Sequence, residues 1–303
     1  MLNVVQSFVY LYNVILFVVA TVQCRPYRYR PRELTRLDPG QSGQWVYGLA
    51  STHDKLYVYR CPPNTDSDRL AVYSLSAGYK QLDDLHIVGL IRAWDLAADN
   101  HALYIADYTS SIVWRIVADS EQKTAEKWIQ LKDVWTLSVT PAGQLVALSG
   151  LSHNSVSVYS RAGVLESQVR LSGALLNPHH AALTASRSFV VCHGDFNTDQ
   201  HGVSLVSRDG AIMASYGQQP GSGPGQVKSP WHIALDAEDR VLVCDSGNRR
   251  VLLLDSKLNF LRVLLDLSSF GDDCWPRRLW FDRRATTLSV GFNTGLVVIY
   301  KLD

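Results

Sequence analysis

The chain has 303 residues, of which 47% are hydrophobic, 10% aromatic and 19% charged. This composition is typical of a folded protein with a large core, and it excludes an intrinsically disordered chain. The 29 basic and 28 acidic side chains give a formal charge of +1, so there is no overall basic excess of the kind that indicates a nucleic-acid partner.

The N-terminal segment differs in composition from the rest of the chain. Residues 9–22 read VYLYNVILFVVATV, and the basic stretch RPYRYRPRELTR begins at residue 25. A cleaved secretory signal fits this apolar run and the small residues Ala20 and Cys24, and it predicts a secreted protein. A membrane anchor fits the arginines that follow, and a leader without a structural role would leave a cytoplasmic protein.

We therefore divide the chain into three parts. Residues 1–24 form a hydrophobic leader, which is the only predicted membrane contact. Residues 25–44 form a basic linker that includes a strand, and residues 45–303 form the globular body. We expect this body to be monomeric.

The body is predicted to be all-β. From Trp45 onward, short runs of β-branched and aromatic residues alternate with clusters of Gly, Asn, Asp and Ser, without a long segment of helical periodicity. The clearest unit, residues 217–255, contains three apolar strands separated by the turns DAEDR and DSGNRR. Five further segments align with it. One column of this alignment, with spacings of 41 to 52 residues, contains Val46, Trp94, Trp135, His179, Trp231 and Arg277.

This period, with three or four strands in each unit, predicts a six-bladed β-propeller. The last unit ends at Asp303 after three strands, which would leave an unpaired edge. Residues 32–39, RELTRLDP, precede the first unit and are predicted to supply the missing fourth strand. The two ends of the chain would then meet in one sheet.

The run GSGPGQVKSPWHIALDAEDRVLVCDSGNRRVLLLD resembles an NHL repeat in its Gly/Pro lead, its strands and its Asp–Ser–Gly–Asn–x–Arg turn. Residues 93–116 are similar to the same repeat, and the other units are similar in pattern. The resemblance covers residues 32–303 and implies an NHL-type propeller, like that of the NHL-containing tripartite-motif proteins. The RING, B-box and coiled-coil segments of those ligases are absent from this sequence, so the resemblance does not imply ligase activity.

No common catalytic motif is present, which favours a non-catalytic scaffold that binds a protein or peptide on the loop face around the channel. In the DSGNRR turn we expect Asp and Asn to bond to nearby amides and Gly to supply a positive φ, so these three residues are interpreted as structural. The predicted ligand-binding residues begin innermost strands or follow second strands: Trp94, Asp107, Tyr108, Trp135, His179, His193, Trp231, Arg249 and Arg277.

Two alternatives remain. A metal-dependent enzyme, lactonase-like or similar to peptide-amidating lyases, would hold Ca²⁺ or Zn²⁺ in the channel through Asp95, His180, His232 and Asn293, although Arg278 would place a cation beside it. Otherwise no cofactor is expected. The second alternative is single-stranded RNA binding through arginines of the last two blades, namely Arg249, Arg250, Arg277, Arg278, Arg283 and Arg284. Cys192 and Cys244 lie in apolar runs and are predicted to be buried free thiols.

Overall fold

A computed structural model of the chain describes residues 29–40, 43–63, 65–67, 69–118, 124–150 and 154–303. The predicted leader, residues 1–24, lies outside these ranges. The described part is almost entirely β-structure, with two single 3₁₀ turns at Ser246–Asn248 and Ser268–Phe270. No helix in these ranges is long and apolar enough to cross a membrane.

The strands form six antiparallel sheets, each of which is one blade. The innermost strands are Trp45–Ser51, Ala93–Ala98, Val134–Val139, Pro178–Leu183, Pro230–Leu235 and Pro276–Asp282. The second strands are Lys55–Cys61, Ala102–Asp107, Leu145–Ser149, Phe189–His193, Val241–Asp245 and Thr287–Phe292. The third strands are Arg69–Ser74, Ile112–Val117, Ser155–Tyr159, Gly202–Val206, Arg250–Leu254 and Val297–Leu302.

The outer strands of blades two to five are Glu126–Gln130, Leu165–Arg170, Ile212–Gly217 and Phe260–Asp266. Blade one has two short strands at this position, Lys80–Gln81 and Leu85–His86, which both pair with its third strand. In the sixth blade the outer strand is Pro31–Leu37, which comes from the other end of the chain. The predicted all-β, six-bladed propeller is confirmed.

The closing strand pairs antiparallel with the last strand from Pro31 opposite Leu302 to Leu37 opposite Val297. The backbone N–H of Arg30 extends the pairing with a hydrogen bond of 2.8 Å to the Asp303 carbonyl. The prediction of a closing strand is therefore confirmed, with Pro31–Leu37 in place of residues 32–39.

The core consists of six hydrophobic clusters among the described residues, one in each gap between neighbouring blades. Each innermost strand is buried on both faces because its alternate side chains enter the two gaps beside it. In the first blade, Val46 and Leu49 pack toward blade six, and Tyr47 and Ala50 pack toward blade two. Such two-sided burial explains why these strands read as apolar runs rather than as alternating ones.

The cysteines of the described ranges are free and buried, and Cys192 and Cys244 are fully enclosed. Burial raises the pKa of the Cys244 thiol to about 12. The prediction of buried free thiols at these two positions is confirmed.

Candidate functional site

Each of the six innermost strands has a β-bulge near its start, where it pairs with the end of the second strand. The register skips one residue in every case. A bulge leaves one residue without a partner and redirects its side chain. The six skipped residues, which we call the mouth ring, are Tyr47, Trp94, Trp135, His179, Trp231 and Arg277.

The sequence alignment placed Val46 in this column, and the structure corrects it to Tyr47. Val46 is buried in the gap toward blade six, where it lies against Gly291. The skipped position is Tyr47, and Gly48 follows it. A Cβ atom on Gly48 would clash with the Leu96 side chain, so this glycine makes room for the neighbouring blade.

Aromatic and cationic contacts connect the mouth ring from blade to blade. Ring centroids are 5.1 Å apart between Tyr47 and Trp94, and 4.7 Å apart between Trp94 and Trp135. On the other side, His179 stacks on Trp231 at 4.4 Å. The Arg277 guanidinium lies 4.4 Å from the Trp231 centroid and 5.5 Å from that of Tyr47.

Two further aromatic side chains flank this ring. Trp45 stacks on Tyr47 and lies 4.4 Å from the Arg277 guanidinium, which is therefore placed between Trp45 and Trp231. Tyr108 contacts Trp94 and Trp135 at 5.9 and 5.5 Å. The four tryptophans and Tyr108 are partly exposed, whereas Tyr47, His179 and Arg277 are buried. The channel mouth is thus lined by partly exposed indoles, and the buried Arg277 guanidinium lies against two of them.

The electrostatics of the ring follow from its burial. Burial lowers the pKa of His179 to about 3, so its imidazole is neutral at pH 7. Burial and the neighbouring Arg278 lower the pKa of Arg277 to about 9, which leaves the guanidinium charged at pH 7. Cation–π contact with the two indoles offsets part of the cost of burying that charge.

Below the ring, the residues that follow the bulges include four charged or titratable groups. We call Asp95, His180, His232 and Arg278 the axial cluster. The Asp95 carboxylate lies 3.5 Å from Nε of Arg278, 3.9 Å from Nε2 of His180 and 3.7 Å from Nε2 of His232. The two imidazole centroids are 3.7 Å apart. The sequence placed these four residues in one column, and the structure brings them together.

Backbone groups hold the axial cluster. The Asp95 carboxylate accepts hydrogen bonds from the N–H groups of Leu96 and Leu137, at 2.9 and 3.0 Å. Arg278 donates to the carbonyls of Tyr47, Trp94 and Arg277 at 2.6, 2.8 and 3.1 Å. Arg278 thereby connects blades six, one and two.

Protonation in the axial cluster is set mainly by burial. Burial raises the pKa of Asp95, against the opposing effect of Arg278 and His180. It lowers the pKa values of His180 and His232 well below their usual range. Nε2 of His180 lies 3.0 Å from the Leu137 carbonyl, which can only accept, so this nitrogen carries the proton.

Three of the four predicted metal ligands are adjacent. Asp95, His180 and His232 each offer a ligand atom within 4.8 Å of the others, a donor set compatible with Zn²⁺. Arg278 also lies beside the Asp95 carboxylate, so it places a cation next to any metal there, as the sequence predicted. Asn293 is not among them, because it lies in a turn outside the channel and bonds to the Trp275 amide and the Asp273 carbonyl.

Two residues predicted for the binding face are buried beneath it. Asp107 is 0% exposed, and its carboxylate accepts hydrogen bonds from three backbone amides and from the Trp114 indole. His193 is also buried, and its Nε2 lies 3.1 Å from the Ser204 hydroxyl. These side chains support the loops of the face through hydrogen bonds.

In the DSGNRR turn, Asp245, Gly247 and Asn248 stabilise the turn itself, as interpreted from the sequence. Asp245 is the counterpart of Asp107, and it accepts hydrogen bonds from the Lys228 amide, Asn248 and Arg250. The positive φ in this turn belongs to Arg249, at 52°, rather than to Gly247. Gly247 is needed because a Cβ there would lie 2.8 Å from the Lys228 carbonyl oxygen. The Arg249 side chain pairs with exposed Asp272 at the rim.

The same face exposes apolar side chains that the sequence reasoning did not select. Phe196 is 58% exposed and Trp275 is 37% exposed, and their ring centroids are 6.2 Å apart. Phe196 follows the second strand of blade four and Trp275 precedes blade six, so only the closed ring brings them together. Ile91 and Leu176, which precede the innermost strands of blades two and four, are also exposed.

The opposite end of the channel is different in character. A cavity of about 80 Å³ extends from His180 and His232 toward Trp280, Phe281 and Arg283. Arg283 and Arg284 follow the innermost strand whose other end carries Arg277, so the arginines of the last two blades are divided between the two faces. Arg250 and Arg278 are committed to Asp245 and to carbonyls. The single basic surface suggested by the sequence does not form.

No protein-family model matches the chain, and no curated protein matches it. Several solved structures, however, are similar to this chain in fold. Virginiamycin B lyase from Staphylococcus aureus superposes with a TM-score of 0.60 at 10% identity, over 89% of this chain and 99% of the lyase. A streptogramin B lyase gives 0.57 at 11% identity, over 92% and 100% of the two chains.

A protein of unknown function from Bacteroides thetaiotaomicron gives a TM-score of 0.66 at 12% identity, over 91% of this chain and 72% of the other. At such identities the similarity concerns the fold alone. The chain therefore belongs to the class of β-propeller proteins, and its function has to be inferred from its own residues.

Proposed function

We propose that this protein is a non-catalytic NHL-type propeller that binds a segment of a partner protein or peptide over the channel mouth. The observation that carries the proposal is the arrangement of Trp45, Trp94, Trp135 and Trp231, which four blades place around one opening with part of each indole exposed. Tryptophan is enriched among the residues that dominate binding energy in interfaces.

The surroundings of the mouth support the same proposal. The exposed pair of Phe196 and Trp275, together with Ile91 and Leu176, adds apolar surface to the loops of the same face. Contiguous exposed apolar surface with a polar rim is typical of protein interaction sites. Charged rim pairs, such as Arg249 with Asp272, would then select among partners.

A selection experiment tests this proposal. A phage-displayed library of random peptides is panned against the full chain, and recovered peptides are tested on a Trp94→Ala/Trp135→Ala variant. We expect at least about 30-fold weaker binding to this variant, because two hot-spot indoles are removed. The matched control is Trp280→Ala, which removes a half-buried indole at the opposite end of the channel.

The control variant should bind the selected peptides as the unmodified chain does. Circular dichroism verifies that both variants are folded. If no peptide is enriched, or if the selected peptides bind the mouth variant and the control alike, the proposal is wrong.

A metal-dependent propeller enzyme is the second candidate, favoured by the proximity of Asp95, His180 and His232. A metal at this position would have to displace the hydrogen bond of His180 to Leu137 and approach a carboxylate that already faces Arg278. Calorimetric titration of the full chain with Zn²⁺ and with Ca²⁺ tests it. Stoichiometric binding that is lost in His232→Gln would support this candidate, and heat changes identical in the two proteins would count against it.

A further inference from the structure

We propose that the mouth ring is a receptor for a carboxylate, which the Arg277 guanidinium binds between its two indole neighbours. The inference rests on the proposed function, because it names the group that the bound segment places at the mouth. Both sources of that group in a protein, the C-terminal carboxylate and an Asp or Glu side chain, have the chemistry required.

The first observation is that Arg277 is a buried cation without an acidic neighbour. It is 6% exposed, its guanidinium is covered by Trp45 and Trp231, and its Nε has no hydrogen-bond partner among the described residues. The adjacent Arg278 differs in each respect, because its nitrogens donate to three carbonyls and Asp95 lies 3.5 Å away. The charge of Arg278 is thus compensated within the fold, and that of Arg277 is not.

The second observation concerns other donors of the ring. Nε1 of Trp94 and both ring nitrogens of His179 are buried and have no hydrogen-bond partner in the described part of the chain. A neutral imidazole retains one N–H, so each of these side chains presents an unused donor. Unpaired buried polar groups are costly, and several of them around one opening indicate a missing acceptor.

These features together define the ligand group. A guanidinium presents a planar fork of N–H donors that matches a carboxylate in a bidentate arrangement. A carboxylate has only acceptor sites and can also accept from an indole or imidazole N–H. One uncompensated positive charge is matched by one negative charge, which favours a carboxylate over a phosphate dianion. The surrounding indoles would pack against an apolar group carried next to it.

Phenylacetate is a suitable probe because it combines an aromatic ring with a carboxylate, and phenylacetamide is its uncharged counterpart. Thermal unfolding of the full chain is followed at rising concentrations of each compound. We expect phenylacetate to raise Tm in a concentration-dependent manner, as a ligand of the native state must, and phenylacetamide to have no comparable effect.

Two variants test the assignment to Arg277. Arg277→Gln should weaken phenylacetate binding about 10- to 100-fold, the loss expected for a charge-assisted hydrogen bond. Arg277→Lys retains the charge and loses the planar fork, so we expect about tenfold weaker binding. If Arg277→Gln is unfolded by circular dichroism, the lysine variant decides. Arg161→Gln is the matched control, because it removes the same charge from an exposed ion pair with Asp99 at the opposite face and should leave binding unchanged.

An equal response to the acid and the amide, or an Arg277→Gln effect no larger than that of Arg161→Gln, would overturn the inference. Peptides from the selection described above then identify the source of the carboxylate. Each is synthesised with a free C-terminus, with an amidated C-terminus and with its acidic side chains changed to amides. Loss of affinity on amidation of the C-terminus supports a terminal carboxylate, and loss on the side-chain changes supports an internal one.

The two proposals can fail separately. Peptides that bind at the mouth with the same affinity in all three forms would overturn the carboxylate site and support the proposed function. Phenylacetate binding that requires Arg277, without any selected peptide, would overturn peptide binding and support the carboxylate site.

Discussion

Acidification should destabilise this protein through histidines that are buried in their neutral form. The pKa of His179 is lowered to about 3 and that of His193 to about 4, from an ordinary value of 6.5, in both cases mainly by burial. In the unfolded chain these imidazoles bind protons as the pH falls below 6.5, whereas in the native state they do not. Their contribution to stability is therefore complete above pH 6.5 and is lost as the pH falls toward 4.

The magnitude follows from the size of these pKa differences. At pH 5 each of the two histidines lowers the free energy of unfolding by about 2 kcal/mol relative to pH 7.5, since one pKa unit corresponds to about 1.4 kcal/mol. A combined loss of about 4 kcal/mol corresponds to a decrease in Tm of about 6 °C for a chain of this size. Asp95 and Asp245, whose pKa values burial raises, have the opposite sign and offset part of this loss.

A comparison of variants isolates the histidine contribution from those carboxylates. Tm is measured by calorimetry at pH 7.5 and pH 5 for the unmodified chain, for His193→Gln and for His101→Gln, in which the replaced histidine is exposed. We expect the decrease in Tm on acidification to be about 3 °C smaller in His193→Gln, since the pH-dependent contribution of this histidine, about 2 kcal/mol, is removed. An identical decrease in all three proteins would refute the reasoning.

Three further predictions concern stability. Deletion of residues 29–38 should lower the Tm measured by calorimetry markedly, because it removes the outer strand of the sixth blade. A separate truncation that ends at residue 28 leaves this strand in place and should cause no such change. Asp245→Ala should cost about 3–5 kcal/mol in urea unfolding, because it leaves Arg250 without its buried partner, whereas Asp272→Ala at the exposed rim should cost less than about 1 kcal/mol. Asp95→Ala should also cost about 3–5 kcal/mol in urea unfolding, because Arg278 would remain buried without a carboxylate, and a loss below about 1 kcal/mol would contradict this account of the axial cluster.

The blade count and the axial cluster could be predicted because both depend on a local repeat. One column of the alignment contains the residues that follow the bulges, so Asp95, His180, His232 and Arg278 had to meet at the channel once the ring closed. Asn293 belongs to a different column, in a turn outside the channel, and therefore could not join them. In the first blade, the sequence does not show whether Val46 or Tyr47 is the residue at the bulge. Only the hydrogen-bond register, which skips Tyr47, decides between them.

Other features depended on contacts that no repeat encodes. Asp107 and His193 are the last residues of second strands, where sequence alone does not distinguish a residue displayed by the following turn from one that supports it. The pairing of Phe196 with Trp275 joins loops of blades four and six across the intervening blade. Arg283 and Arg284 are close to Arg277 in sequence, and the length of one strand separates them in space.

The closing strand has a consequence for how the protein is made. Leu37 is synthesised first but pairs with Val297, so about 260 residues must be translated before its partner exists. At the usual rate of about 5–20 residues per second this takes tens of seconds, during which the first strand has an exposed edge and the blades form an open arc. The ring can therefore close only after the last strand of the sixth blade has been translated, and a ribosome that stalls before that blade leaves the closing strand unpaired for chaperones to shield.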